Sequence, residues 1–226
     1  MNEWLLERRC VLPAGEYPQG FGSSTGWIAS GSSYLIDDLP DTVTINGPQE
    51  SQTGSLMWGF PLDYRSRTIE FKARLTGGNA GGEGVAVAFV RPDSTGQPAG
   101  GRLGAGGNRL GLGGLKGTAI AFDTKRDAPD PSSNFIGFTD GTADNGGLLW
   151  YDTAEAVTPL LGSSSTLRTI KIANRGGTTT VSIDGVVRMT GTFAVPTSAF
   201  LTFTGSTGPV GYEFHQLSGL KITKTP

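Results

Sequence analysis

Apolar and polar residues alternate with a period of two along much of the chain, the pattern of half-buried strands rather than of helices. Arg67 to Leu75, RTIEFKARL, sets Ile69, Phe71, Ala73 and Leu75 on one face and Thr68, Glu70, Lys72 and Arg74 on the other. Gly84 to Val90 is apolar on both faces, with Val85, Val87 and Phe89 opposite Ala86 and Ala88. That pattern predicts a central strand held between two layers. Thr118, Ile120 and Phe122 alternate with Ala119, Ala121 and Asp123, so Asp123 closes a further strand. Thr166 to Asn174, Thr178 to Asp184 and Val186 to Thr192 continue the series. Asp184-Gly185 between the last two is a type I′ hairpin signal, because both central residues of that turn take positive φ. Phe200 to Thr204 and Tyr212 to Thr223 supply the closing strands, on either side of the Gly- and Thr-rich loop Gly205 to Gly211.

Composition narrows the class. A chain of 226 residues fits one large sandwich or barrel. Its 36 glycines, 13 prolines and 17% charged residues describe many short strands joined by tight turns, an all-β domain. A formal net charge of -2 offers no basic surface to neutralise phosphates, so nucleic acid is not an expected partner. No apolar stretch is long enough to span a membrane. Cys10 is the single cysteine, which leaves burial, sheet hydrogen bonds and any bound ion to hold the fold. Met1 to Leu12, MNEWLLERRCVL, is broken by Glu3, Glu7, Arg8 and Arg9 and lacks the apolar run of a secretory signal. Residues 1–22 are expected to form an N-terminal segment, either an arm that docks through Trp4, Leu5 and Leu6 or a terminus folded onto its own domain. Residues 23–226 are the domain.

Candidate chemistry concentrates in Thr118 to Gly137, TAIAFDTKRDAPDPSSNFIG, where a strand runs into a loop with three spaced carboxylates. Asp123, Asp127 and Asp130, with freed main-chain carbonyls, offer oxygens at a spacing that can wrap one hard cation. Calcium suits such a set, since it takes six to eight oxygen ligands in flexible geometry, whereas zinc wants imidazole or thiolate. Only one histidine and one cysteine exist in the chain. The same aspartates also shape turns through Asx-type hydrogen bonds, and spacing alone leaves both uses open. The glycine-rich loops Gly77 to Gly84 and Gly96 to Gly117 flank this segment and let backbone approach a ligand unobstructed.

Several segments resemble, in order, the legume-type (L-type) lectin family and its bacterial members over about Asp41 to Thr223. SLMWGFPLDYRSRTIEFKARL is similar to that family's early strand pair, and GGEGVAVAFV to its A/G-D-G-x-A-F segment. NRLGLGGLKGTAIAFDT resembles its G-x-x-L-G-L run into E-F-D-T, and FTGSTGPVGYEFHQLSGLKI its closing strands. The resemblance implies an antiparallel two-sheet β-sandwich, a concanavalin-like jelly roll, with a calcium-supported sugar site in loops on one side. It assigns Asp123, the carbonyl of Lys125, Asp127 and Asp130 as calcium ligands. It assigns Glu83, Gly107, Asn108 and Asp127 to the carbohydrate, with Tyr212 as a substitute for the stacking ring that no residue between Thr124 and Asn134 supplies. Asp127 replaces the family's asparagine and Glu83 its aspartate. Ala121 and Phe135 stand where the transition-metal site has glutamate and histidine, so no manganese or zinc is expected there.

No catalytic residues are expected. The Glu-x-Asp-x-x-Glu run of glycosidases on related sandwiches is missing. Gly22-Ser23-Ser24-Thr25-Gly26 has the G-x-S-x-G order without its strand-turn-helix setting. His215 falls in the closing strand, as a structural histidine would. The expectation is a calcium-stabilised, non-catalytic glycan-binding domain at a cell or particle surface, acting in several copies as a homo-oligomer or larger assembly. The alternative is an adhesion or assembly protein of a virion, tail or surface machine that uses the sandwich for protein contacts.

Overall fold

The structure is a computed structural model that describes residues 16–21, 26–36, 39, 41–77, 82–144, 147–155, 159–162 and 165–226. Trp4, Leu5, Leu6 and most of the Gly22–Gly26 serine-glycine tract lie outside the described residues. In chain order the strands are β1 (Trp27–Gly31), β2 (Tyr34–Leu35), β3 (Thr42–Asn46), β4 (Thr53–Trp58), β5 (Arg67–Gly77) and β6 (Gly84–Val90). A 3-10 turn, Gly107–Arg109, precedes β7 (Gly117–Asp123), β8 (Phe135–Thr139), β9 (Ala143–Asp144), β10 (Gly147–Leu148), β11 (Asp152–Glu155) and β12 (Leu161–Gly162). The chain closes with β13 (Arg168–Arg175), β14 (Thr178–Ile183), β15 (Val186–Thr192), β16 (Phe200–Ser206) and β17 (Glu213–Lys224).

Two sheets take up almost all of them. One runs β1-β4-β16-β6-β7-β8-β11, the other β15-β14-β13-β5-β17-β3-β2, and neighbours are antiparallel throughout both. β12 adds a short parallel pairing to β5, and β9 and β10 form a separate ribbon. The fold is therefore all-β, an antiparallel two-sheet sandwich.

Alternation decides what lies between the sheets. Ile69, Phe71, Ala73 and Leu75 of β5 meet Val85, Val87 and Phe89 of β6 and Ile120 and Phe122 of β7 in one core cluster. Phe203 is its aromatic hub, with Phe21, Trp27 and Phe71 rings at 5.1, 6.0 and 5.2 Å. Full burial of each large apolar side chain contributes about 1.5–3 kcal/mol. The Asp184-Gly185 turn has φ of 51° and 80°, as a type I′ hairpin requires.

Strand β6 is central and buried along its whole length, but its second layer is not another sheet. Ala86, Ala88 and Val90 face Leu110, Leu112 and Leu115, so the glycine-rich loop before β7 covers the outer face of that sheet. Segment 16–21 also packs on the sandwich: Phe21 is fully buried, Gln19 Nε2 donates to the Ile222 carbonyl, and the Tyr17 ring packs edge-on to Tyr64.

Register positions one rim of this sandwich. Gly84 of β6 pairs with Asp123 of β7 on one side and Ser206 of β16 on the other. The residues just beyond those ends, Glu83, Thr124 and Thr207 with Gly208, therefore emerge side by side although far apart in sequence.

Candidate functional site

Asp123, the last residue of β7, is only 2% exposed, and its Oδ1 accepts the Lys125 N–H at 3.0 Å. This contact turns the chain out of the strand. A second small turn follows, in which Asp127 N donates to Asp130 Oδ2 at 2.9 Å and Asp130 N to the Asp127 carbonyl at 2.6 Å. Trp150 Nε1 donates to Asp130 Oδ1 at 2.8 Å and fixes the far end of the loop. The same indole packs edge-on to Phe135, with ring centroids 5.0 Å apart.

Glu83 enters from the other side. It has φ of 98°, uncommon for a residue with a Cβ, and its carbonyl accepts the Thr124 N–H at 3.1 Å. Its carboxylate is buried, and Oε1 accepts from the Lys125 ammonium at 2.6 Å. The same ammonium lies 3.4 Å from Asp127 Oδ2, a buried oxygen with no hydrogen-bond partner. Gly208 closes over this pair: a Cβ there would stand 2.3 Å from Glu83 Oε1 and 3.1 Å from Lys125 Nζ.

Electrostatics follow from crowding. Burial and the nearby Asp127 push the Glu83 carboxyl up to about 7, against the opposing pull of Lys125. Burial and the Asp130 charge raise Asp123 well above the usual carboxylate range. Asp130 is raised chiefly by burial, which its hydrogen bonds from Asp127 and Trp150 only partly offset. Burial would lower Lys125, but its contacts with Glu83 and Asp127 win and raise it. Four carboxyl groups crowd one rim beside the Lys125 ammonium, and a bound cation would relieve their mutual repulsion.

Beneath the rim lies a wholly buried polar chain. His215 Nε2 meets Glu213 Oε2 at 2.7 Å, and His215 Nδ1 meets Asn46 Oδ1 at 2.9 Å. A side chain on Gly82 would strike Glu213, so the segment leading into Glu83 rests directly on this chain. Burial raises the Glu213 carboxyl, yet the hydrogen bond and charge of His215 bring it below its ordinary value.

Solved structures with the same architecture include lectins. The exoplasmic/lumenal domain of VIP36, in a Ca2+- and mannose-bound form, superposes with a TM-score of 0.65 at 20% identity, covering 91% of this chain and 86% of that one. Lectin II from Ulex europaeus gives 0.69 at 15% identity over 92% and 96%. Lectin I-B4 from Griffonia simplicifolia, in a metal-free form, gives 0.68 at 17% identity over 92% and 97%. The fold is that of a legume-type lectin. No family model and no curated protein matches the chain.

On this lectin fold the expected site residues separate into groups. Asp123, Lys125, Asp127 and Asp130 share one loop, and Glu83 joins them. Gly107 begins the 3-10 turn, and its carbonyl accepts from Ser206 Oγ at 2.6 Å, which ties it and the partly exposed Asn108 to the end of β16. Tyr212 is expected within the closing strand but lies just before β17, half-buried beside Glu213, because Gly211 at φ of 87° still turns the chain there. Ala121 and Phe135 are fully buried among apolar neighbours.

The donor set suits a hard cation in its chemistry: all oxygen, crowded carboxylates, and a buried Asp127 oxygen that meets only the Lys125 ammonium, at 3.4 Å. Among the described residues no three acidic, histidine or cysteine side chains already stand as a cage. The Lys125 ammonium occupies the space between Glu83 and Asp127 instead. Sequence reasoning misses this side chain, and it misses Trp150, Gly208 and the Glu213–His215–Asn46 chain. Lysine inside an acidic loop is a signal in hindsight; the others come from distant segments and carry none.

Proposed function

We propose that this protein is a non-catalytic glycan-binding domain whose saccharide site is the rim formed by Glu83, Lys125, Asp127, Gly107, Asn108 and Gly208. The observation that carries the reading is the convergence, on a lectin fold, of charged side chains and bare glycine backbone from the ends of β6, β7 and β16. Hydroxyl pairs on a sugar need donors and acceptors held at fixed separation, and here rigid strand ends hold them. Asp123, Asp127, Asp130 and the carbonyl of Lys125 are the residues that would hold calcium. The ion would neutralise the rim and stiffen the loop. Single-site affinity would be weak, and retention would come from several copies at a cell or particle surface.

A glycan array printed with mannose-, N-acetylhexosamine- and uronate-terminated saccharides, probed in calcium and again in chelator, tests this. Binding in calcium that falls on chelation is expected; silence toward every saccharide in calcium sinks the reading. The burial of Glu83 under Lys125 favours one alternative, an adhesion or assembly protein of a virion, tail or surface machine. That protein would leave the array silent and show a stable complex by light scattering.

A further inference from the structure

We propose that Lys125, not Glu83, is the group that meets the saccharide, with Glu83 as the buried positioning residue that holds the ammonium in place; this rests on the glycan-binding reading above. Glu83 is 2% exposed, and its Oε1 is covered by the Lys125 ammonium at 2.6 Å and by Gly208. A sugar hydroxyl reaches that oxygen only by displacing one of them. Of the three charged side chains in this cluster, solvent reaches Lys125, 24% exposed, and Asp127, 29% exposed. They stand beside each other at 3.4 Å and carry opposite hydrogen-bonding character.

An ammonium has three donors and no acceptor, and a carboxylate has only acceptors. Glu83 takes one of the lysine donors, which leaves the others for Asp127 and a ligand. A rim built on an exposed carboxylate alone accepts from a pair of hydroxyls. This rim donates at Lys125 and accepts at Asp127. Its complement is a saccharide with an acceptor-only oxygen, a carboxylate or an acyl carbonyl, next to a free hydroxyl. Glu83 also explains why the lysine stays at the rim: a buried carboxylate without its partner is strongly unfavourable, so the pair locks the side chain that would otherwise wave in solvent. The strained φ of 98° at Glu83 fits such a role, because strain persists where the surroundings over-determine a residue.

Titration of purified protein with uronate-terminated, N-acetylhexosamine-terminated and neutral hexose oligosaccharides, in calcium, provides the test. Wild type is expected to bind at least one of the first two more tightly than the neutral hexose. Lys125→Met is expected to lose roughly tenfold or more in affinity for the best ligand, as for loss of a charge-assisted hydrogen bond. Lys125→Arg should recover part of that loss. Because Lys125→Met strands a buried carboxylate, the double variant Glu83→Gln with Lys125→Met, which buries no charge, is measured alongside and is expected to fold and to show the same loss. Affinity that is unchanged or improved in a folded Lys125→Met or double variant overturns the proposal, since Glu83 or the backbone would then be the true contact. Tightest binding to the neutral hexose overturns it too. A wild-type protein that binds none of the three refutes the glycan-binding reading itself, a separate result.

Discussion

At the scale of single residues, the rim is governed by a few contacts that leave no slack. Gly208 is the clearest. Its position is set by the Ser51 N–H donating to its carbonyl at 2.9 Å, and a methyl group there would meet the Glu83 carboxylate at 2.3 Å. Neither side can yield easily, because Glu83 is buried and its backbone is already strained. Gly208→Ala is therefore expected to cost about 1–3 kcal/mol of stability, in the range of other overpacking changes, and to weaken saccharide binding by disturbing the Lys125 pair. Shortening the acid in Glu83→Asp withdraws the carboxylate, so the alanine should be better tolerated in that background. A double-mutant cycle by chemical denaturation reads this coupling, and strict additivity would show that the two residues do not meet. Asp123 was legible in the sequence as the residue that ends a strand. The direction of the Lys125 side chain was not, because it depends on Glu83, which is remote in the chain and reaches the rim through sheet pairing.

At the scale of elements, β17 links the rim to the core. Glu213 and His215 are two positions apart and so share a face of that strand, and register places His215 opposite Asn46 of β3. Both side chains are fully buried, and the two imidazole nitrogens and Glu213 Oε2 are held by the hydrogen bonds within this chain. Burial raises the Glu213 carboxyl, but the hydrogen bond and charge of His215 outweigh it and hold the group below its ordinary value. A depressed value means stability that is present above the unfolded value and lost as pH falls through the folded one. Glu213→Gln is expected to lower stability by about 1.5–3 kcal/mol at neutral pH, the worth of a hydrogen bond to a charged group. The gap between wild type and variant should narrow as pH falls below the ordinary glutamate range. Paired melting curves from pH 7 down to about 3 check it; a gap that stays constant would refute the assignment. Strand existence was readable from alternation, and the Asp184-Gly185 hairpin from turn chemistry. Which strands become neighbours was not: β16 lies between β4 and β6, and β17 between β5 and β3, pairings made by segments remote in sequence.

For the whole molecule, the prediction concerns charge. The folded chain collects Glu83, Asp123, Asp127 and Asp130 at one rim beside the Lys125 ammonium, an arrangement that calcium would stabilise. Calcium at about a hundred times its dissociation constant should add about 2.7 kcal/mol, a rise in melting temperature of roughly 5–10 °C for a domain of this size. Chelator should reverse the rise, and Asp123→Asn should abolish it. A melting temperature indifferent to calcium in the wild type would remove the cation from the account. The all-β class, the faces of the strands and the acidic loop after β7 are legible in the amino-acid order, because side-chain alternation and turn residues act over a few positions and need no distant partner. Tertiary packing alone settles that a leucine-bearing loop covers the outer face of β6, that Glu83 is buried, and that Lys125 reaches across to it. Those outcomes depend on which strand ends the sandwich packing brings to one rim, and a local pattern does not contain that information.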